Sequence, residues 1–448
     1  MIIDELANYA ADQVKSGISQ DVSHAAKRAL VDWFAALFPG TQAQPAKSLL
    51  QAHAHELGFG RSSLPGMKTY AFPATAAWIN GSVSHAVEFD DIFRDAIYHP
   101  GCPTVAAAVA VAEHVHASGQ KLLEAVTIGY EISTRIGAAV QPSHYKYFHT
   151  TGTVGCFGGA AAAAVLISPE SSVTAHALAT SATFASGLQQ AFRSDAMTKA
   201  LHAGHAAWVG VTSALGAGKG LTGVLDIMEG AVGFGAALTD GANWSKATEG
   251  LGKNYNIKNV TVKNHGCCGH AFASIDGLLA LRHSHQFDIS QIGRIEIETY
   301  AAAIDVAGIR DPQSAFECKF SIPYVVAHAA KHGSVRLAAF DTSRIFESDL
   351  RALMPLISIN AADDLTRQFP NMRAARVKVY LKDGRVVEHF QPFRIGDPES
   401  PLTDEQISEK FLELASPVIS DRQAKQLLSQ LWSIEKINDL SSLKLSTL

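Results

Sequence analysis

Four polar clusters in the sequence carry side chains that could do chemistry. The densest is HAVEFDDIFRDAIYHP (residues 85–100), where carboxylates and imidazoles lie between two hydrophobic stretches. Such neighbours could bind a divalent metal or form an acid/base set with mutually shifted pKa values. The alternative is a solvated loop that caps a helix starting at Pro100. Metal binding ranks below both, because the spacing matches neither HExxH nor an EF-hand loop.

The second and third clusters each lie at the start of a predicted helix. HYKYFHTTG (residues 144–152) precedes an alanine- and glycine-rich segment, and the N–H groups of a helix start favour an anion. Ordinary capping by Thr151 would produce the same pattern. FRSDAMTKALHAGHAA (residues 192–207) places Lys199 and His202 near one helix face. A desolvated lysine would be a usable base, unless its side chain reaches the surface.

The fourth cluster, VKNHGCCGH (residues 262–270), lies at a predicted junction between domains. It lacks the second ligand pair of a zinc site, so a carboxylate anchor at Lys263 is the better interpretation. The sequence has no GxGxxG between strand and helix, no GxxxxGK[ST] and no cysteine trio for an iron–sulfur cluster. Any chemistry must therefore run on side chains.

Length and composition set the frame for these clusters. The chain has 448 residues, of which 47% are hydrophobic and 18% are charged, as in a folded protein of two or three domains. The net charge of -5 does not indicate binding to nucleic acid or to an anionic membrane, because both favour a basic surface. Five scattered cysteines favour a reducing compartment, and the acidic N-terminus is unlike a signal peptide. We predict a cytoplasmic protein without a transmembrane segment.

Hydrophobic periodicity divides the chain into two kinds of structure. From residue 2 to about 217 the apolar positions recur at helical spacing, and many helices are rich in alanine and glycine, which suits close packing in a bundle. After about residue 263, residues 294–302 and 376–391 alternate apolar with polar, and the second stretch turns at Asp383-Gly384. Helical stretches lie between these strands.

Helical periodicity returns in residues 403–415 and 422–436, which should pack back on the first helices. The predicted fold is therefore mostly α with an α+β part. We predict a large helical-bundle domain (residues 1–265 and 400–448) with a smaller α+β lid domain (residues 266–399) inserted near its C-terminal end.

Taken in order, the clusters resemble the MmgE/PrpD family over nearly the whole chain. The motifs that carry the resemblance are NGSVSHAVEFDD with the following His99-Pro100, FHTTGTVGCFGGAAAAA, TKALHAGHAA, the cluster that begins at Lys263, and FSIPY. The resemblance implies a large helical domain with a smaller α+β lid, a homodimer, an active site in the cleft and no cofactor or metal. It further implies active-site roles for His99, His149, Lys199, Lys263 and Tyr324.

Several positions depart from the family pattern. Glu88 replaces the first acid of DFDD, so its carboxylate reaches one methylene further, and Ile92 replaces a threonine of dehydratases and decarboxylases. Cys268 stands where decarboxylases carry a histidine. These changes put dehydration and decarboxylation in doubt. They are compatible with iminodisuccinate epimerase, the family member that the overall sequence resembles most.

We therefore expect a cofactor-independent epimerase of a small, iminodisuccinate-like polycarboxylate. The proton beside a carboxylate would leave and return on the opposite face, with Lys199 and Tyr145 as the acid/base pair and His99 and His149 as rivals. Substrate carboxylates would be bound by Arg193, Lys263 and the N–H groups ahead of Gly152. Asp90 and Glu88 would contact other parts of the substrate, and Tyr324 would close the site. The alternatives are a hydro-lyase like 2-methylcitrate dehydratase, a tricarboxylate decarboxylase, or a non-catalytic carboxylate-binding homologue. His85 and Asp91 could contact the substrate, or they could equally orient His99 or hold helices together.

Overall fold

The computed structural model describes residues 1–192 and 196–448. It divides into two compact units, of which the first comprises Met1–Thr261 with Thr403–Leu448 and the second comprises Val262–Leu402.

The first part of the first unit is almost entirely helical. A short antiparallel hairpin of two three-residue strands interrupts it, which the sequence analysis missed because three residues are too few for a visible alternation. The elements are α1 (Ile2–Ser16), α2 (Gln20–Gln42), α3 (Ala46–Ala52), β1 (Ser62–Leu64), β2 (Thr69–Ala71), α4 (Pro73–Ser84), α5 (Gly101–His114), α6 (Gly119–Val140), α7 (Thr150–Thr153), α8 (Gly155–Ile167), α9 (Ser171–Phe184), α10 (Thr198–Ala217), α11 (Phe234–Leu238) and α12 (Ser245–Thr248).

Helix α8 lies in the interior of this unit, and α10 packs closely on it because both helices carry small residues at their crossing. A Cβ on Gly210 would lie 2.5 Å from the main-chain nitrogen of Ala160, so no larger residue fits at that crossing. The stretch Thr150–Ile167 is long and apolar enough to cross a membrane, but 83% of it is buried within the protein. It therefore has the character of a core segment, in agreement with the predicted buried helices.

The second unit builds a small mixed sheet against helices. Its elements are α13 (Phe272–His285), β3 (Ile292–Thr299), α14 (Ala301–Ala307), α15 (Ala315–Lys319), α16 (Ile322–His332), α17 (Thr342–Ile345), α18 (Ser348–Leu353), β4 (Ile357–Ala361), α19 (Asp363–Gln368), β5 (Ala375–Leu381) and β6 (Val386–Gln391).

The sheet has the strand order β4-β3-β5-β6, with β3 parallel to β4 and antiparallel to β5. The predicted hairpin is confirmed: β5 pairs with β6, and Gly384 in the turn has φ +91°, which favours glycine. Buried and half-buried residues alternate along β5, so one face packs on the core. Strand β4 was not predicted, because its five residues follow directly on a helical stretch.

The chain then returns to the first unit with α20 (Asp404–Ile419) and α21 (Asp421–Trp432). Thr403 caps α20 in a reciprocal capping box with Gln406. Phe411 of α20 packs edge-on against Phe38 of α2, with ring centroids 6.1 Å apart. The predicted packing of the C-terminal helices on the first domain is confirmed, as is the fold class of mostly α with an α+β part.

Candidate active site

The loop between α4 and α5 carries the first polar cluster, and Asp90 is its centre. Its Oδ2 lies 2.7 Å from Nδ1 of His85 and 3.0 Å from Nδ1 of His99. Cys102 donates a third hydrogen bond to the same oxygen through its thiol, at 3.3 Å. The Asp90 side chain is 2% exposed. Because a buried carboxylate needs donors, this residue holds imidazoles in place, a role different from the predicted contact with substrate.

The tautomer of His99 follows from its neighbours. Its Nδ1 also lies 2.8 Å from the main-chain oxygen of Asp91, and a carbonyl oxygen can only accept a hydrogen bond. Nδ1 therefore carries a hydrogen, and Nε2 is the nitrogen with which this imidazole can exchange a proton. The His99 side chain is 16% exposed, so that exchange is possible.

His85, Asp90 and His99 each have a possible metal-ligating atom within 4.8 Å of the other two. In this structure the three residues form a hydrogen-bonded network around the Asp90 carboxylate.

Asp91 ties the loop to the neighbouring helices. Its two carboxylate oxygens accept hydrogen bonds from the N–H of Gly101, at 2.9 Å, and from the hydroxyl of Tyr130, at 2.8 Å. Burial, assisted by the charge of Asp32, raises the pKa of Asp91 to about 7. A Cβ on Gly101 would lie 2.8 Å from both partners, so only glycine fits there. Asp91 therefore binds the first N–H of α5, and its burial differs from the solvated loop of the alternative interpretation.

His149 and His202 form a second pair of imidazoles. Their Nδ1 atoms are 2.9 Å apart, and the ring of His149 stacks on that of His85 with centroids 5.5 Å apart. Burial, with smaller contributions from nearby charges, lowers the pKa of His149 well below its usual value and that of His202 to about 4. Both rings are thus neutral at pH 7, and one Nδ1–H donates to the other ring.

Lys199, at the start of α10, forms an ion pair with Glu88. The side chains are 24% and 18% exposed, so both reach solvent only in part. Glu88 has φ +62°, a conformation that costs a non-glycine residue energy and that is typical of functional loops. The positive charge of Lys199 also lowers the pKa values of His149 and His202, after burial.

In the second unit, Lys263 is buried and only 2% exposed. Two residues further on, His265 lies 2.8 Å from the carboxylate of Asp276, which forms another buried imidazole–carboxylate pair. The hydroxyl of Tyr324 donates to the main-chain oxygen of Ala339, and burial raises the pKa of this tyrosine. The predicted roles of Lys263 and Tyr324 toward a substrate stay predictions.

The structure brings five predicted site residues into one cluster within the first unit: Glu88, Asp90, His99, His149 and Lys199. Tyr145 is half-buried in a short 3-10 helix, Ser143–Lys146, and its role stays a prediction. Arg193 lies outside the described residues.

Two further residues of the cluster are His85, which the sequence offered as a residue that could orient His99, and His202. Only the i, i+3 spacing of His202 from Lys199 pointed to a shared surface.

Comparison with known proteins matches two family domains to the chain. Residues 4–247 match the MmgE/PrpD N-terminal domain, and residues 265–434 match the MmgE/PrpD C-terminal domain. The chain is 27% identical to the cis-aconitate decarboxylase-like protein oryM of Aspergillus oryzae, over 98% of this chain and 95% of that protein.

The chain is also 26% identical to the cis-aconitate decarboxylase of Homo sapiens, over 95% of this chain and 90% of the human protein. The cis-aconitate decarboxylase of Mus musculus is 24% identical over 95% of this chain and 89% of the mouse protein. These relatives carry the name of one of the alternatives, decarboxylation, and the epimerase expectation gains no support from them. Because it matches both domains of the family, the chain belongs to the MmgE/PrpD family.

Proposed function

We propose that this protein is a lyase that acts on a small tricarboxylate, of the cis-aconitate type, by moving protons with its own side chains. The observation that carries the proposal is the cluster of His85, His99, His149 and His202 beside the Lys199–Glu88 ion pair. The names and full-length coverage of the relatives favour the lyase over the epimerase.

The cluster supplies the groups that such chemistry needs. Loss of CO₂ from a carbon beside a double bond breaks a C–C bond and leaves the electron pair on an allylic carbanion. The remaining carboxylates share this charge, and a proton added at the far end of the allyl system completes the reaction. The positive charge of Lys199 can stabilise the negative charge that develops on the substrate. His99 can deliver a proton through its Nε2 atom.

Neutral imidazoles add a second capability. His149 and His202 share one hydrogen between their Nδ1 atoms and are both neutral at pH 7, so these rings can serve as hydrogen-bond donors and acceptors. We propose His99 and Lys199 as the primary proton-transfer groups, with His149 in support. Tyr145 remains a candidate for the second acid/base group, and Arg193, Lys263 and Tyr324 remain candidates for substrate binding.

Epimerisation is the second candidate, and Ile92 favours it. The main chain of Ile92 forms an antiparallel bridge with Thr261, through hydrogen bonds of 2.9 and 2.7 Å. Its side chain therefore sits in a fixed loop position and offers no hydroxyl where dehydratases and decarboxylases have a threonine. Proton exchange at a carbon beside a carboxylate does not need that hydroxyl.

One experiment distinguishes these reactions. The protein, in deuterated buffer with a chelator, is incubated with a panel of di- and tricarboxylic acids that includes cis-aconitate, 2-methylcitrate and iminodisuccinate, and the mixture is followed by NMR. The lyase is expected to release CO₂ and leave one deuteron in the product. Deuterium in recovered substrate without a new alkene would point to the epimerase, and binding without isotope exchange would point to a non-catalytic homologue.

We also propose that the protein is a homodimer. Large apolar side chains are exposed near one another on the first unit, at the end of α9, on α10 and in the segment that follows, where Gly223 packs on Ala179. Such a surface is typical of an interface. The exposed residues include Phe184, Leu188, Trp208, Leu221 and Val224.

A further inference from the structure

A buried lysine reaches the main chain of the loop that carries Glu88 and Asp90. Lys410 of α20 is 0% exposed, and its Nζ lies 2.6 Å from Oδ1 of Asp32 on α2. The same ammonium donates a hydrogen bond of 2.9 Å to the main-chain oxygen of Phe89 and lies 5.0 Å from the centre of its ring.

The position of Phe89 makes this contact relevant to the site. Its preceding neighbour, Glu88, pairs with Lys199, and its following neighbour, Asp90, receives the hydrogen bonds of His85 and His99. A shift of the Phe89 main chain would move both carboxylates. The lysine therefore acts on two site residues through one carbonyl group.

Stability alone does not account for this pair. A buried ion pair can often be replaced by apolar side chains of similar volume at no cost, because desolvation offsets most of the attraction. An apolar pair, however, could not donate a hydrogen bond to the Phe89 oxygen, nor could it place a positive charge beside a group of buried carboxylates. These two properties are specific to the lysine.

We propose that Lys410 is a positioning residue of the active site, which fixes Glu88 and Asp90 by holding the carbonyl group of Phe89. Asp32 is the second group that the ammonium contacts, and the hydrogen bond to Phe89 does not pass through it. The C-terminal segment of the chain is then part of the catalytic architecture of the first unit, although it lies more than 300 residues from the loop in sequence. This inference deepens the proposed function. The part of its test that measures kcat and KM rests on that proposed function.

The charges around Asp91 are consistent with this assignment. Asp91 faces Asp32 from α2, Asp90 from the same loop, and Tyr130 from α6. Burial first, and then Asp32, raise the pKa of Asp91, so loss of the Asp32 charge should lower it.

The test compares Asp32→Asn with the double variant Asp32→Asn/Lys410→Met. Both lack the buried carboxylate, and they differ only in the lysine. In the double variant we expect amide hydrogen exchange in residues 85–91 to be about tenfold faster than in Asp32→Asn, because one buried hydrogen bond is lost. We expect kcat to fall by about 100-fold, with a smaller change in KM, since the reacting groups are misplaced while the binding groups remain.

The control is Glu113→Gln. Glu113 is a buried carboxyl at the other end of α5 that accepts hydrogen bonds from the main-chain N–H and the hydroxyl of Ser63, so its replacement should leave both readouts of the loop unchanged. Lys410→Arg, which keeps a charged donor, is expected to retain more protection of the loop than Lys410→Met.

Equal exchange and equal kcat in Asp32→Asn and the double variant would overturn the proposal. Equal hydrogen exchange in Lys410→Arg and Lys410→Met would also overturn the proposal. This second comparison does not require the Asp32 variants to fold. Hydrogen exchange does not depend on any substrate, so faster exchange in the double variant than in Asp32→Asn would support the inference even if the proposed reaction failed.

Discussion

Replacement of Lys199 by methionine separates a catalytic lysine from a merely ion-paired one. The substitution keeps the length of the side chain and removes its charge. The side chains of Lys199 and Glu88 are 24% and 18% exposed, so their ion pair is intermediate between a surface pair and a buried pair. Its loss should therefore cost about 1–3 kcal/mol of folding free energy. A domain with about 5–15 kcal/mol of stability remains folded after such a loss.

The expected loss of catalytic rate is a separate quantity from this loss of folding free energy. A positioned acid/base group contributes about 10²–10⁴-fold to a rate, and each tenfold change corresponds to about 1.4 kcal/mol of activation free energy. Because the variant stays folded, lost stability could not produce a drop of this magnitude in kcat. We therefore expect Lys199→Met to lose at least about 100-fold in turnover and in deuterium incorporation.

Glu88→Gln is the matched control, since it breaks the same ion pair but leaves the amine. Turnover would be measured by NMR on the substrate identified from the acid panel, and folding by thermal denaturation. Turnover of Lys199→Met within about threefold of wild type would refute the role of the lysine. A loss equal to that of Glu88→Gln would show that the ion pair matters and the amine does not.

Three further predictions concern pH, packing and assembly. Folding lowers the pKa of His202 from an ordinary 6.5 to about 4. The stabilising effect of the neutral ring is therefore complete above pH 6.5 and is lost as the pH falls through 4. His202→Asn should flatten the dependence of Tm on pH in this window. Gly101→Ala should lower stability by about 1–3 kcal/mol and reduce activity, because the added Cβ meets Asp91 and Tyr130, and a variant with unchanged Tm would contradict this packing. Light scattering should give twice the 47.6 kDa of the chain, and Trp208→Asp should shift the protein toward the monomer without unfolding it.

Much of the candidate site could be predicted from sequence, because its residues lie in short motifs. HAVEFDD, FHTTG and TKALH already contain Glu88, Asp90, His149 and Lys199, and local spacing places them at helix starts or loops. The role of Asp90 could not be predicted in the same way. Whether a carboxylate meets substrate or imidazoles depends on burial and on which side chains face it, and neither is encoded in spacing.

Contacts distant in sequence were the hardest to predict. Lys410 and Asp32 are 378 residues apart, and each looks like an ordinary charged residue on an amphipathic helix. Only the packing of α20 on α2 makes them buried and brings them to Phe89. The parallel strand β4 was missed for a related reason, since its pairing with β3 crosses several helices.

The sequence by itself determined the division into helical and α+β parts, the hairpin at Asp383-Gly384 and the membership of the clusters, because hydrophobic periodicity and turn chemistry are local properties. The tertiary structure decided which of the clustered groups are buried and which hydrogen-bond partners they have. Protonation and orientation depend on desolvation and on hydrogen-bond partners, such as the Asp91 carbonyl that fixes the tautomer of His99, and these arise only when distant segments pack together.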